Sequence, residues 1–394
     1  MTLSEFRAAR LTQAARDAGA DLLVASLPAN VLYVSGYHNI NLGVLQRTES
    51  YALFRPSDGH VSIVGSIAEL PSIVEEVGMD ADLYCYGGFR FAGVEGHPLT
   101  ELLAKTQKDR NFGNMINALV AAIKASGAKR VAFDESRCCV TNWNTVLAAC
   151  PEIEFFPGSD VFMQARLVKH EEEIAGLERA AEIAEAALDA ALKNFKVGMT
   201  ELDMERVYLA ELAKYDAQPL FFVATIGHRA AYSDTKNTDL AAKAGDMIRF
   251  DFGCIWHGYN ADLARTAVMG QPDEKTATYF EAVRRGTHDA IAAIKPGMTA
   301  EEVFDIAMKV TRENGIPHYE RHHCGHGIGV ECYDLPSVAP GDKTVLVPGM
   351  TLNVETPYYE LGWGGVQMEN TVVVTEDGCR YLDKGGDALI VLEV

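Results

Sequence analysis

The chain has 394 residues, 48% of them hydrophobic and 23% charged, with a formal net charge of -20. That length exceeds one ordinary hydrophobic core, so two domains are expected, and the composition is that of a globular protein. The negative balance argues against a nucleic-acid backbone or an anionic membrane as partner, and no apolar run is long enough to span a bilayer.

The opening "MTLSEFRAARLTQAARDAGADLL" reads as an amphipathic helix leading into a strand rather than as a signal peptide. "DLLVAS" and "RVAFDES" look like buried strands, and "YALFRPSDGHVSIVG" like a hairpin turning at Ser57-Asp58-Gly59. This half is α/β and carries no dense cluster of His and acids. In "KHEEEIAGLERAAEIAEAALDAALKNF", Ile174, Leu177, Ile183, Leu188 and Leu192 recur at near-helical spacing, and acids crowd the first turn as the helix dipole prefers. The domain break is expected near 160, dividing the chain into 1–160 and 161–394. Eight cysteines form no CxxC pair, so free thiols in a reducing cytoplasm are expected.

The second half contains a repeat. "VGMTELDMERV" from Val197 and "PGMTAEEVFDI" from Pro296 each offer a threonine N-cap, Thr200 and Thr299, with an acid three residues on, Asp203 and Glu302. Further along, "GDMIRFD" (245–251) resembles "GMTLNVE" (349–355) at a nearly equal offset. A duplicated unit about a pseudo-two-fold axis is the simplest reading.

Asp251 and Glu355 fall at the same place in the two copies. Each is followed by a second acid on a return strand, Asp262 in "NADLARTAVM" and Glu369 in "VQMENTVVVT". A turn at Trp256-His257 would set Asp251 directly opposite Asp262. Four acids converging on a core need cations, and carboxylates can bridge a pair of divalent ions. A nitrogen ligand would favour a transition metal, and "HHCGHGIGV" offers His322, His323 and His326. Cys254 and Cys324 beside these residues read as small buried side chains. Trp256, His257 and Trp363 lie at predicted hairpin tips, where surface and pocket wall are equally open readings.

The series "DFG" with an Asp eleven residues on, then "GHGIG", "VETP" and "QMEN", resembles the pita-bread metallopeptidases. That family includes methionine aminopeptidase, Xaa-Pro aminopeptidase and prolidase, with creatinase as a metal-free relative. The resemblance covers essentially the whole chain. It implies a creatinase-like α/β N-terminal domain and an α+β pita-bread catalytic domain. It also implies five metal ligands, Asp251, Asp262, His326, Glu355 and Glu369, holding two divalent ions (manganese, cobalt, iron or zinc). Glu355 would carry the proton in a metal-assisted hydrolysis, with His326 in the same reactive centre, and the chain would form a homodimer.

Two positions depart from the family pattern. The peptidases usually carry a His seven residues after the ligand His, where this chain has Tyr333. They also carry a pocket His before the first ligand strand. Counting back from Asp251 puts Tyr232 there, and counting forward from Gly227 puts Asp234 there, with His228 close by. Tyr232 and Tyr333 are therefore candidate catalytic hydrogen-bond donors, and His228, Asp234 and His322 candidate substrate contacts. Three readings follow: a metal-dependent Xaa-Pro peptidase acting on dipeptides; a relative that cleaves a bond in a small metabolite, as creatinase, ectoine hydrolase and the sulfoniopropionate lyases do; and a catalytically idle binding module.

Overall fold

The computed structural model describes residues 1–39, 50–386 and 388–394. The chain divides into two compact units, Met1–Arg166 and Leu167–Val394. This division lies six residues beyond the expected break at 160. The helix Ser159–Arg166 belongs with the first unit, where the Arg10 guanidinium donates to the carbonyls of Gln164 and Ala165.

The first unit is built on β1 (Leu22–Ala25), β2 (Tyr51–Arg55), β3 (His60–Ser66), β4 (Asp82–Tyr86), β5 (Arg130–Phe133) and β6 (Glu154–Pro157). Their order across the sheet is β4-β3-β2-β1-β5-β6. Only the pairs β1–β2 and β2–β3 are antiparallel. Apolar side chains such as Val24, Tyr51, Leu53 and Phe133 are buried on the sheet, as expected for strands covered by helices. The chain between β2 and β3 turns at residues 56–59.

The second unit carries β7 (Gln218–Ile226), β8 (Met247–Trp256), β9 (Tyr259–Asn260), β10 (Leu263–Met269), β11 (Gly325–Gly327), β12 (Asp334–Ser337), β13 (Thr351–Glu355), β14 (Tyr358–Glu360), β15 (Gly364–Val366), β16 (Glu369–Val374), β17 (Cys379–Tyr381) and β18 (Ile390–Leu392). Its main sheet runs β12-β11-β13-β16-β10-β8-β7. The helix Glu171–Leu192 buries Leu177, Ile183 and Leu188. Its first turn is closed by a capping box between His170 and Glu173.

The repeat is visible in the hydrogen bonding. Thr200 and Thr299 cap the helices Glu201–Leu212 and Ala300–Glu313, each in a reciprocal box with the acid three residues on. The amide of Gly198 donates to Ala242 O, and that of Gly297 to Leu346 O. Thr200 bridges to Ala241 as Thr299 does to Val345. The two copies meet where β10 pairs with β16.

One expected register is corrected. The β8–β9 hairpin turns at His257-Gly258, with φ of 50° and 84°, a two-residue turn with both central residues left-handed. It lies one residue beyond the expected Trp256-His257. The pairing therefore moves by two residues: Asp251 faces Ala264, and Asp262 stands level with Gly253, between the pairs Leu263–Phe252 and Asn260–Ile255. A slip of one would have turned Asp262 to the other face; a slip of two keeps it beside Asp251. Gly253 is needed there, since a Cβ would collide with the Ala261 carbonyl.

Candidate active site

Five adjacent central strands present the five expected ligands. His326 lies on β11, Glu355 ends β13, Glu369 begins β16, Asp262 immediately precedes β10, and Asp251 lies on β8. Glu355 pairs with Glu369, Glu369 with Ala264, and Ala264 with Asp251, so three of the acids share one row across the sheet. Cross-strand partners project from the same face, which brings these carboxylates together. Ala264, in the middle of the row, is small and leaves room for Asp262 two residues away. Gly325 allows β11 to approach β13: its φ is 138°, and a Cβ would collide with Asn353 O.

Ligand atoms of Asp262, His326 and Glu369 lie within 4.8 Å of one another. His326 Nδ1 is 2.9 Å from the Gly327 carbonyl, which can only accept, so Nδ1 carries the proton. Burial holds the His326 pKa down at about 4, so the ring is neutral and Nε2 presents a lone pair. That nitrogen is 3.6 Å from Asp262 Oδ2 and 3.9 Å from Glu369 Oε1. With the ring neutral, these contacts are not ion pairs; acceptors face one another. Such a set fits a divalent cation, which accepts from all three.

Asp251 and Glu355 have other partners. Arg249, fully buried on β8, donates Nη1 to Asp251 Oδ2 at 3.2 Å and to Gln367 Oε1 at 2.7 Å. Gln367 Nε2 in turn reaches Asp251 Oδ2 at 3.2 Å and Glu355 Oε2 at 3.4 Å. Arg249 also donates Nη2 to the carbonyls of Tyr232 and Ser233, and Nε to that of Ala230. The other Glu355 oxygen faces His323 Nδ1 at 3.4 Å and Arg321 Nη2 at 3.5 Å.

Burial raises the pKa of all four carboxyls. Asp262 and Glu369 are pushed well up by burial and then by repulsion from their neighbours. Asp251 is raised by burial against the pull of Arg249. Glu355 rises to about 7, burial outweighing the attraction of Arg321. Acids held in this state take up a proton or a metal.

A cavity of about 500 Å³ opens over the row, walled by Leu220, Phe221, Val223 and Thr235 besides the acids. Tyr333 and Asp234 line it as well. Tyr333 stacks on the His326 ring, centroids 3.8 Å apart. Among the described residues, the walls do not include Tyr232, His228 or His322. Tyr232 gives its carbonyl to Arg249 and sets its ring against His228 and Arg229. Of the two counts over that segment, the one from Gly227 reaches the cavity, at Asp234. His322 packs edge-on against His323, and it is His323 that faces Glu355. Trp256, His257 and Trp363 are likewise absent from the walls. Cys254 and Cys324 are fully buried.

Residues 175–376 match the sequence model of metallopeptidase family M24, and residues 7–168 that of the creatinase/prolidase N-terminal domain. The chain belongs to metallopeptidase family M24. It is 35% identical over 233 residues to an Xaa-Pro dipeptidase of Pyrococcus furiosus, spanning 59% of this chain and 67% of that protein. It is 32% identical over 267 residues to an Xaa-Pro dipeptidase of Lactobacillus delbrueckii subsp. lactis, spanning 67% and 73%. The crystal structure of a prolidase from Pyrococcus horikoshii superposes with a TM-score of 0.81 at 25% identity, over 98% of this chain and 99% of that one. An Xaa-Pro dipeptidase from Bacillus anthracis gives 0.82 at 23% identity, covering 99% and 100%, and supports the pita-bread fold. This M24 member is a metal-dependent hydrolase with divalent metal cofactors. The small-metabolite and idle-module readings are not favoured by these relatives. No helix among the described residues is long and apolar enough to cross a membrane.

The wall residues Leu220, Phe221, Val223 and Thr235 escaped the sequence reading, as did four residues that contact the acids, Arg249, Gln367, Arg321 and Cys332. Arg249 had a usable signal, a charge two positions before Asp251 in an otherwise apolar strand and hence on the same face. The other three lie where only the folded register brings them in.

Proposed function

We propose that this protein is an Xaa-Pro dipeptidase whose metal centre is built from Asp251, Asp262, His326, Glu355 and Glu369. The observation that carries the reading is the acid row on one face of the sheet, with the neutral His326 turning a bare nitrogen toward it. The names of the relatives supply the substrate class. Two divalent ions, of manganese, cobalt, iron or zinc, would supply an activated water and a polarised substrate carbonyl.

The chain's own residues do the rest. Glu355 takes a proton from the attacking water and returns it to the leaving amine. His323 and Arg321 face one of its oxygens and Gln367 the other, which fixes the carboxylate plane. Tyr333, stacked on His326 at the cavity wall, would donate its hydroxyl to the oxygen that gains charge. Asp234, on the cavity wall, pairs with the substrate ammonium. A cavity of about 500 Å³ suits a dipeptide rather than a long chain. The same reading takes the protein as a cytoplasmic homodimer.

The deciding experiment is an activity screen after metal reconstitution, pairing Xaa-Pro dipeptides with small guanidino, lactam and onium metabolites. Turnover of an Xaa-Pro dipeptide at about 10⁴ per molar per second or better is expected. Turnover of a small metabolite with none of any dipeptide would overturn the proposal.

A further inference from the structure

The segment between β11 and β12 carries Cys332 and Tyr333 side by side, and both line the cavity. Tyr333 covers His326; the Cys332 sulfur faces Asp262. Its Sγ lies 3.1 Å from Asp262 Oδ2, the same oxygen that stands 3.6 Å from His326 Nε2. Cys332 also lines the cavity, together with Glu369 and Asp251. The Asp262–His326–Glu369 triad is compact and supplies two carboxylates and one imidazole. An ion of tetrahedral preference bound there has a fourth position to fill. The sulfur adjoins the triad through the oxygen that would hold the ion. Among the eight cysteines, Cys332 is the one on the cavity wall. Cys254 Sγ donates to Ala180 O within the core, and Cys324 is fully buried.

We propose that Cys332 is a sulfur ligand of the ion held by Asp262, His326 and Glu369. This inference rests on the metal-centre reading above. On binding, the thiol proton passes to bulk water and a sulfur–metal bond replaces the hydrogen bond to Asp262; no electrons are exchanged. Thiolate is a soft donor, so it biases a carboxylate–imidazole site toward cadmium, zinc and cobalt over manganese. The bland alternative is a thiol that merely hydrogen-bonds a ligand carboxylate. Cys332→Ser separates the two, since a hydroxyl keeps the hydrogen bond and loses the soft donor.

The experiment titrates the metal-free full chain and its Cys332→Ser variant with cobalt(II), following visible and near-ultraviolet absorption. Cadmium and manganese dissociation constants are then measured by calorimetry. The proposal expects cobalt's visible bands in both proteins and a sulfur-to-cobalt charge-transfer band in the parent alone. It also expects cadmium affinity to fall about tenfold or more in the variant, while manganese affinity changes far less. Visible cobalt bands with no sulfur band in the parent, or equal cadmium affinity in both proteins, overturn the Cys332 assignment and leave the metal centre standing. Absence of cobalt, cadmium and manganese binding from both proteins overturns the metal centre itself. Cys332→Ala, which lacks both donors, checks that the Ser variant behaves as a folded protein with an intact triad.

Discussion

Replacing Arg249 with Met should separate the two jobs of that guanidinium. In the parent it is fully buried, pairs with Asp251, and satisfies Gln367 and three carbonyls at Ala230, Tyr232 and Ser233. Methionine fills much of the volume and none of the polar role. Removing one partner of a buried charge pair costs about 3–5 kcal/mol, chiefly because the other charge is stranded. For a unit of this size that corresponds to a fall of very roughly 10 °C in melting temperature. The loss should be largest without metal. A divalent ion restores a counter-charge to Asp251, leaving only the unsatisfied carbonyls, about 1–3 kcal/mol. The assay is urea unfolding of metal-free and metal-loaded protein, followed by tryptophan fluorescence, with Trp256 and Trp363 reporting on the second unit. A loss below about 1 kcal/mol in the metal-free protein, or an equal loss with and without metal, would refute the argument. Arg249→Lys should fall between parent and Met, since it restores the charge without the fork of donors.

Glu355→Gln keeps the shape of the side chain but removes its proton acceptor, so kcat should drop by several orders of magnitude with the fold intact; a kcat within about tenfold of the parent removes Glu355 from the proton path. Tyr333→Phe keeps the stack on His326 and loses only the hydroxyl, so kcat/KM should fall by about 1.5–3 kcal/mol in transition-state terms while metal affinity holds, and an unchanged kcat/KM would make the hydroxyl a bystander. In metal-free protein the Glu355 pKa of about 7 lies above the ordinary 4.5, so the native state binds the extra proton between those values. Stability should then decrease as pH rises from about 4.5 to 7, by on the order of 3 kcal/mol from this group, and the slope should vanish once metal is bound; a melting temperature that climbs over that window in the metal-free protein contradicts it. Thr200→Ala and Thr299→Ala should each cost about 1 kcal/mol, and by similar amounts, because the two capping boxes are equivalent; melts of the two variants differing by more than about that amount would count against equivalence.

The acids were legible in the sequence because each breaks a local rule: a carboxylate within or at the edge of an apolar strand has no structural reason to be there. The two helix starts were legible because a capping box is a local event within four residues. The partners of the acids were not. Gln367 reaches Asp251 only because β16, β10 and β8 are neighbours, and that order is a property of the sheet. The turn at His257-Gly258 shows the limit of local reading most sharply. Both Trp256-His257 and His257-Gly258 are plausible pairs, and the choice depends on which residues tolerate positive φ. Gly258 does so freely and Trp256 does not. The one-residue error moved the register by two and so preserved the face, which is why the ligand set could be read despite it. The split between Tyr232 and Asp234 had no such protection. Their segment is a short 3-10 turn and loop, and loops carry no period to count by.

The repeat gives the site its acids in matched pairs, but the counter-charges do not follow the repeat. Arg249 stands two residues before Asp251, and the equivalent place in the second copy is Asn353, two before Glu355. Asn353 donates its amide nitrogen to the Asp262 carbonyl, accepts from Thr371 Oγ1 on its oxygen, and hydrogen-bonds Glu369, but as a neutral group it adds no counter-charge. Arg321 makes up part of the difference by facing Glu355. Asp251 and Glu355 thus have guanidinium neighbours built into the fold, whereas Asp262 and Glu369 face a neutral imidazole. Counter-charge is scarcest at Asp262 and Glu369, which is also where the donor atoms are most compact and where Cys332 lies. Duplication accounts for the scaffold of the centre. The departures from duplication, Arg249 against Asn353 above all, decide where within it a cation is most strongly required.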